Sequence, residues 1–250
     1  MRPSTLIVCA LVLMLGSGCS LSSPSPTQVP SATPIPTSTL PPPTPTPAFA
    51  GQSALTTFVV DPVVRAIDPF DGTLAQSWEA LNPETNAEVL SGTTVLQGAP
   101  AWGSGIGRRR EFSPGEGVGV LLTYPEENQV EFFFDRGQWD TDDYRRFGIY
   151  LWDSPTANVW SGRQRIGFQS LPGNFRPMPD ARYLLIMSVG QGGEFLAVLT
   201  DPADPSRFIL YRQVLGSGWA DLAWRFNVQA NEASGITLDE LAEFSFATFK

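Results

Sequence analysis

Histidine is absent from the 250-residue sequence, and cysteine is rare. Without histidine the chain cannot form a Ser-His-Asp or Cys-His catalytic site, or a zinc site that uses histidine ligands. Both cysteines, Cys9 and Cys19, lie in the first twenty residues. Cys9 falls in an apolar run that we expect to be cleaved off, so the mature chain keeps one thiol and cannot form an internal disulfide. Packing, with or without a metal ion, must therefore stabilise the fold.

Positive charge is also scarce, with 16 Lys and Arg against 25 Asp and Glu and a net charge of −9. Nucleic-acid binding needs a basic face, so we expect no nucleic-acid partner. The basic run Arg108–Arg110 is followed at once by Glu111, and we interpret it as a solvated strand end or loop. The glycine-rich segment 102–107 before it lacks the residues of a phosphate-binding motif and is interpreted as a turn or loop.

The N-terminus has the features of an export signal. Leu6–Leu15 form an apolar run of ten residues, which is too short to span a bilayer but suits a signal-peptide core. The small residues before Cys19 resemble the lipobox of bacterial lipoproteins, in which the cysteine carries lipid, although Gly16 stands where that motif has leucine. We expect a signal over residues 1–19, lipid on Cys19 and an extracytoplasmic domain anchored to a bacterial membrane. The alternative is an ordinary secretory signal.

Residues 20–54 consist mainly of Ser, Thr, Pro and Ala, and prolines recur from Pro24 to Pro47. Such a segment cannot bury a core, and its prolines favour an extended polyproline conformation. We therefore predict a disordered linker over residues 20–54, followed by one folded domain over residues 55–250.

From residue 55 onward, short segments of alternating apolar and polar residues are separated by turn residues. In Leu222–Ala230 the large apolar side chains fall on one face, whereas Arg225, Asn227 and Gln229 fall on the other, where we expect them to face solvent. Gln129–Asp135 alternates in the same way. This period is typical of half-buried strands. Roughly a dozen such strands and no convincing amphipathic helix predict an all-β antiparallel β-sandwich of jelly-roll type.

A family resemblance points to the same fold. The segment Asp68–Leu74, Trp78 after it, the many alternating strands and the closing Ile236–Asp239 resemble the concanavalin A-like lectin/glucanase superfamily, including laminin-G-like domains. The resemblance covers about residues 55–250. It implies a jelly roll whose first and last strands lie side by side. Members include sugar-binding modules, glycoside hydrolases and domains without a known ligand, so the fold does not choose the function.

The stretch 132–160 predicts two strands joined by a polar loop. One face of the second strand combines aromatic rings with an arginine, a composition that suits stacking against sugars. We expect the ligand-binding residues to be Trp139, Tyr144, Arg146, Tyr150 and Trp152, with Trp160 extending the surface. The alternative is a sheet that is buried on both faces, whose aromatic tips reach polar partners.

The string Glu131–Asp135 is similar to the Glu-x-Asp-x-(x)-Glu motif of the family-16-type glucanases in this superfamily. Here Phe133 replaces the central Asp, and Asp135 replaces the longer second Glu. Glycoside hydrolysis normally needs two carboxylates that act together. If the protein is an enzyme, Glu131 and Asp135 are the catalytic candidates, but we expect solvated side chains and no catalysis.

Calcium is the cofactor that this sequence could hold. Asp68, Asp71 and Asp239 would meet if the terminal strands pair, and sugar-binding jelly rolls often have structural calcium there. The three residues could equally be turn aspartates. We therefore expect a lipid-anchored module that binds a glycan or another extracellular ligand without catalysis. The alternatives are a structural or sensory module that contacts a protein partner and, third, a degenerate glycoside hydrolase.

Overall fold

The computed structural model describes residues 48–250, apart from residues 73, 126–128, 152–153 and 233–234 and the side chain of residue 75. The predicted signal peptide, Cys19, most of the predicted linker and Trp152 lie outside the described residues. Within them the chain forms one α-helix, α1 (Gln52–Phe58), and seventeen strands. The strands are β1 (Val59–Val60), β2 (Val63–Asp68), β3 (Trp78–Ala80), β4 (Asn86–Leu90), β5 (Thr93–Gln97), β6 (Ser104–Phe112), β7 (Glu116–Thr123), β8 (Val130–Arg136), β9 (Arg145–Leu151), β10 (Thr156–Ser161), β11 (Gln164–Ser170), β12 (Arg182–Val189), β13 (Glu194–Thr200), β14 (Phe208–Val214), β15 (Trp224–Ala230), β16 (Gly235–Ser245) and β17 (Thr248–Phe249).

Fifteen of these strands form two large antiparallel sheets, and β1 pairs with β17. The seven-stranded sheet has the order β11-β10-β9-β8-β15-β6-β3, and the eight-stranded sheet has the order β14-β13-β12-β7-β16-β5-β4, with β2 also paired to β16. The long strand β16 pairs with β5 through its first half and with β2 through its second half. Strands from the two ends of the domain therefore lie side by side, as the family resemblance implied.

The apolar faces of the two sheets form the main core. Phe132 and Trp224 are both fully buried there, as the alternating pattern predicts. Trp224 lies edge-on to Phe195 with ring centroids 5.0 Å apart, and Trp219 stacks against it at 5.4 Å. The β-sandwich predicted from the sequence is confirmed.

A second apolar layer covers the outer face of the eight-stranded sheet. Phe49 is 3% exposed and packs with Leu55 and Phe58 against Leu184 and Phe244. Because these side chains need a partner surface, residues 48–54 fold onto the domain instead of continuing the linker. The expected boundary at residue 55 is therefore too late, and the linker over residues 20–47 stays a prediction.

The arginine run is partly buried, which corrects the interpretation of a solvated loop. Arg108 lies in β6 and forms an ion pair with Asp68 at 2.9 Å and another with Glu243 of β16. Arg110 also contacts Glu243, at 2.5 Å. Opposite charges allow this strand to carry arginines into the space between the sheets. Glycines 105 and 107 likewise belong to β6 and not to a loop.

No helix in the described part of the chain is long and apolar enough to cross a membrane.

Candidate functional site

The candidate site lies on the outer face of the seven-stranded sheet. Alternation along β8 sends Phe132 and Phe134 into the core and turns Glu131, Phe133 and Asp135 to the other face. Strand register then brings polar residues of the neighbouring strands beside them. One row across the sheet consists of Arg165, Trp160, Arg146, Asp135 and Arg225. A parallel row consists of Thr156, Tyr150, Glu131 and Gln229.

These rows and the loops beside them enclose a groove of about 500 Å³, a size typical of ligand sites. Aromatic, arginine and amide side chains dominate its walls. The lining residues are Leu81, Asn82, Ala101, Trp102, Phe133, Asp135, Trp139, Arg146, Tyr150, Trp160, Arg165, Arg225 and Gln229.

Two pairs of rings line the groove. Trp102 lies 5.3 Å from Tyr150, and Trp139 lies 5.2 Å from Trp160, measured between ring centroids. Trp139 is 55% exposed, so this ring is available for stacking.

Trp102 sits on a strained loop. Ala101 and Trp102 both have left-handed backbone angles, with φ of 54° and 60°, which cost non-glycine residues free energy. Two asparagines hold this conformation, because Asn231 accepts a hydrogen bond from the Trp102 N–H and Asn82 donates one to its carbonyl. The left-handed backbone at these two residues places the Trp102 ring at the edge of the groove.

Glu131 is fully enclosed by hydrogen-bond donors. Its carboxylate accepts bonds from Arg146 at 2.8 Å, Asn158 at 2.7 Å and Gln229 at 2.7 Å, and the residue is 0% exposed. Gly148 makes the space, because a Cβ there would collide with the carboxylate. Burial raises the pKa of Glu131, and the charge of Arg146 opposes this. The expectation of a solvated Glu131 is therefore wrong.

Asp135 is the acidic side chain that lines the groove. It accepts a hydrogen bond from Asn227 at 2.8 Å, and Arg225 lies 3.6 Å from it. Burial raises its pKa, whereas Arg225 and Arg146 lower it. Its carboxyl group is thus oriented by neighbours and is not a freely solvated side chain.

The predicted ligand-binding residues have different roles. Trp139, Arg146 and Tyr150 line the groove together, and their role in ligand binding stays a prediction. Tyr144 is 1% exposed, because Trp139 packs on its ring and Arg146 donates to its hydroxyl group, so it supports the groove from below. Trp152 lies outside the described residues.

Sequence reasoning missed Trp102, Arg165 and much of β15. The polar face of β15 was expected to face solvent, but Asn227 is 0% exposed. The Asn227 side chain lies against Gly107 of β6, where a Cβ would collide with its Oδ1 atom, and Leu81 approaches the same glycine. The alternation pattern identified the polar face correctly but contained no information about what lies over it.

The three calcium candidates are not assembled into a metal site. Asp68 accepts hydrogen bonds from Trp78 and Arg108, both at 2.9 Å, and Asp239 forms an ion pair with Arg182 at 2.9 Å. Among the described residues, no cluster of three or more His, Cys, Asp or Glu could hold a metal ion. Arginine or tryptophan donors occupy the carboxylates of Asp68 and Asp239, and the three candidates form no such cluster, which corrects the calcium hypothesis.

Comparison with known proteins supports the fold. No protein-family model and no curated protein matches the sequence. Solved structures do match. The endo-β-1,3-glucanase of Pyrococcus furiosus is 12% identical with a TM-score of 0.54, and the match covers 76% of this chain and 98% of that one. The described domain has the concanavalin A-like jelly-roll fold.

Two further solved structures are similar to this chain in fold. The catalytic domain of an endo-1,3-β-glucanase from Thermotoga petrophila RKU-1 is 11% identical with a TM-score of 0.53, over 76% of this chain and 100% of that one. A protein of unknown function from Shewanella oneidensis MR-1 is 12% identical with a TM-score of 0.56, over 82% of this chain and 97% of that one. At such identities the likeness concerns the fold alone.

Proposed function

We propose that the domain binds a glycan chain in the groove and does not cleave it. The observation that carries this proposal is the combination of two ring pairs with oriented polar side chains on one concave surface. Aromatic faces cover the C–H surfaces of sugars, while arginine, amide and carboxylate groups take up the hydroxyl groups. Solved structures with the same fold include glucanases, which act on glycans.

The carboxylates argue against hydrolysis. A retaining glycosidase needs a nucleophile and an acid about 5–5.5 Å apart, with both in reach of the sugar. Glu131 has donors on both of its oxygens and no exposed surface, so it cannot attack a substrate without breaking several buried contacts. Phe133 further replaces the acid between Glu131 and Asp135 with a ring that lies under Arg146, 3.9 Å from the guanidinium carbon.

The binding proposal is tested with a panel of soluble polysaccharides, followed by calorimetric titration of oligosaccharides from any that binds. We expect binding in the micromolar to millimolar range. Trp160→Ala should weaken it roughly five- to 150-fold, because a stacked ring supplies about 1–3 kcal/mol of the attraction.

Two variants make this test specific. Trp160 donates a hydrogen bond to Asn158 at 2.9 Å, so Trp160→Phe removes that bond but keeps an aromatic ring. We expect Trp160→Phe to retain most of the affinity. Val214→Ala, an exposed change in the other sheet, should leave it unchanged. Absence of any polysaccharide binding would refute the proposal and favour the protein-partner alternative.

The degenerate hydrolase is the second candidate, because Glu131 and Asp135 occupy two of the three acidic positions of a glucanase-type string. It is tested by measuring new reducing ends during long incubation with a bound glycan. We expect the wild-type protein and Glu131→Gln to release equal background amounts. A release that only the wild-type protein shows would establish an enzyme.

We propose further that lipid on Cys19 holds the domain on the outer side of a bacterial membrane. Support comes from the signal-like N-terminus, the small residues before Cys19 and the proline-rich segment that follows. A lipid-anchored binding domain benefits from an extended spacer, because the spacer moves it away from the bilayer.

A further inference from the structure

Arg165 is an uncompensated positive charge at one end of the groove. Arg146 is matched by Glu131 at 2.8 Å, and Arg225 by Glu79 at 2.9 Å. Among the described residues, no carboxylate lies within 4.0 Å of the Arg165 guanidinium, although its side chain is exposed and lines the groove. Three arginines and one aspartate line the groove. The arginine without a carboxylate partner among the described residues, Arg165, lies at the β11 end.

The guanidinium of Arg165 is held in place by rings. Its carbon lies 4.9 Å from the Trp160 ring centroid and 4.6 Å from that of Phe168. Stacking on aromatic faces orients arginine while leaving its N–H edge free to bind. A fixed guanidinium fork matches the two oxygens of a carboxylate or sulfate group.

We infer that the groove selects an anionic glycan, with Arg165 binding a carboxylate or sulfate group of a sugar that stacks beside Trp160. This inference rests on the proposed glycan-binding function and narrows its ligand class. Strand register supports the placement, because Trp160 lies directly opposite Arg165 on the neighbouring strand. The local charge also contrasts with the whole chain, whose net charge of −9 repels anionic polymers. The basic end of the groove is therefore a local exception to the acidic balance of the chain.

The experiment titrates the protein with three oligosaccharides of equal length: a neutral β-glucan, an oligouronate and a sulfated oligosaccharide. We expect at least one of the two anionic ligands to bind roughly tenfold or more tightly than the neutral ligand, because charge-assisted hydrogen bonds contribute about 1.5–3 kcal/mol. The preference should shrink as salt is added, since this end of the groove is open to solvent. Comparing the oligouronate with the sulfated ligand identifies which anion is recognised.

Arg165→Gln should abolish the anionic preference, so that this variant binds the anionic ligands no more than about twofold more tightly than the neutral ligand. Arg176→Gln is the matched control, because it removes an exposed arginine from outside the groove with the same change in charge. Binding of all three ligands with equal affinity, or an equal preference in Arg165→Gln, would overturn this inference while leaving the glycan-binding function intact. Failure of all three ligands to bind would overturn both.

Discussion

At the scale of single residues, Glu131 shows how the surroundings of a carboxylate decide its role. It lies on β8 in the string that made it a catalytic candidate, but three donors surround it and no part of it reaches solvent. Arg146 in turn depends on Glu131, because a buried guanidinium without a partner is costly. The pair therefore builds the floor of the groove, and chemistry on a substrate would require both groups to separate.

Removing the carboxylate should consequently damage the fold. Glu131→Ala leaves Arg146 buried without its partner, so we expect the free energy of unfolding to fall by about 3–5 kcal/mol. Denaturant unfolding with the linear extrapolation measures this change. Glu88→Ala, an exposed residue on β4, should cost less than about 0.5 kcal/mol and serves as the control. A loss below 1 kcal/mol for Glu131→Ala would show that the pair is not structural.

Asp135 predicts a pH dependence of stability. Burial raises its pKa in the folded state above the ordinary value of 3.8, so the native protein holds this proton more tightly than the unfolded chain does. This contribution is fully present below about pH 3.8 and is lost as pH rises through the folded pKa. The unfolding free energy of the wild type minus that of Asp135→Asn should therefore increase as pH falls from 7 to 4. A difference that stays constant or decreases over this range contradicts the prediction.

At the scale of elements, the short helix α1 and Phe49, three residues before it, pack on the outer face of the eight-stranded sheet. Phe49→Ala should cost about 3–5 kcal/mol, because the ring is buried against Leu184 and Phe244. Thr57→Ala changes an exposed position of the same helix and should be nearly silent. Thermal unfolding of the two variants compares them. If both behave like the wild type, the segment before residue 55 is a linker after all.

The same elements show what a sequence can predict. Period-two alternation identified β8 and β15 and placed Phe132 and Trp224 inside, because burial on one face leaves a direct trace in the residue pattern. The alternation could not show which strands flank β15. Its neighbours in the sheet, β8 and β6, are both far from β15 along the chain. The sequence therefore did not predict that Arg225 and Gln229 line the groove. Trp102 was missed because its position depends on the left-handed backbone conformation of Ala101 and Trp102, which the local residue pattern does not predict.

At the scale of the whole domain, the two sheets differ in what covers them. The eight-stranded sheet is packed on its inner face by the other sheet and on its outer face by residues 49–59. The seven-stranded sheet shares the inner core, but its outer face holds the groove. Phe49, Leu55 and Phe58 are buried against the first surface, whereas the ring of Trp139 remains exposed on the second. This asymmetry leaves the groove open on one face of the sandwich, where we propose that the ligand binds.

The attachment of this domain to a membrane is a prediction for the whole molecule. If Cys19 carries lipid, the full-length wild-type protein from bacterial cells should enter the detergent phase when a detergent extract is separated. Acyl chains contribute about 0.8 kcal/mol per buried CH₂ group, which is ample for partitioning when more than one chain is attached. Cys19→Ser should remain in the aqueous phase or keep its signal peptide, which mass spectrometry would detect. Cys9→Ser is the matched control, because Cys9 lies in the segment that is expected to be removed, and it should behave like the wild type. Recovery of the wild-type protein in the aqueous phase, without lipid on Cys19 by mass spectrometry, would instead favour a secretory signal that releases the domain without an anchor.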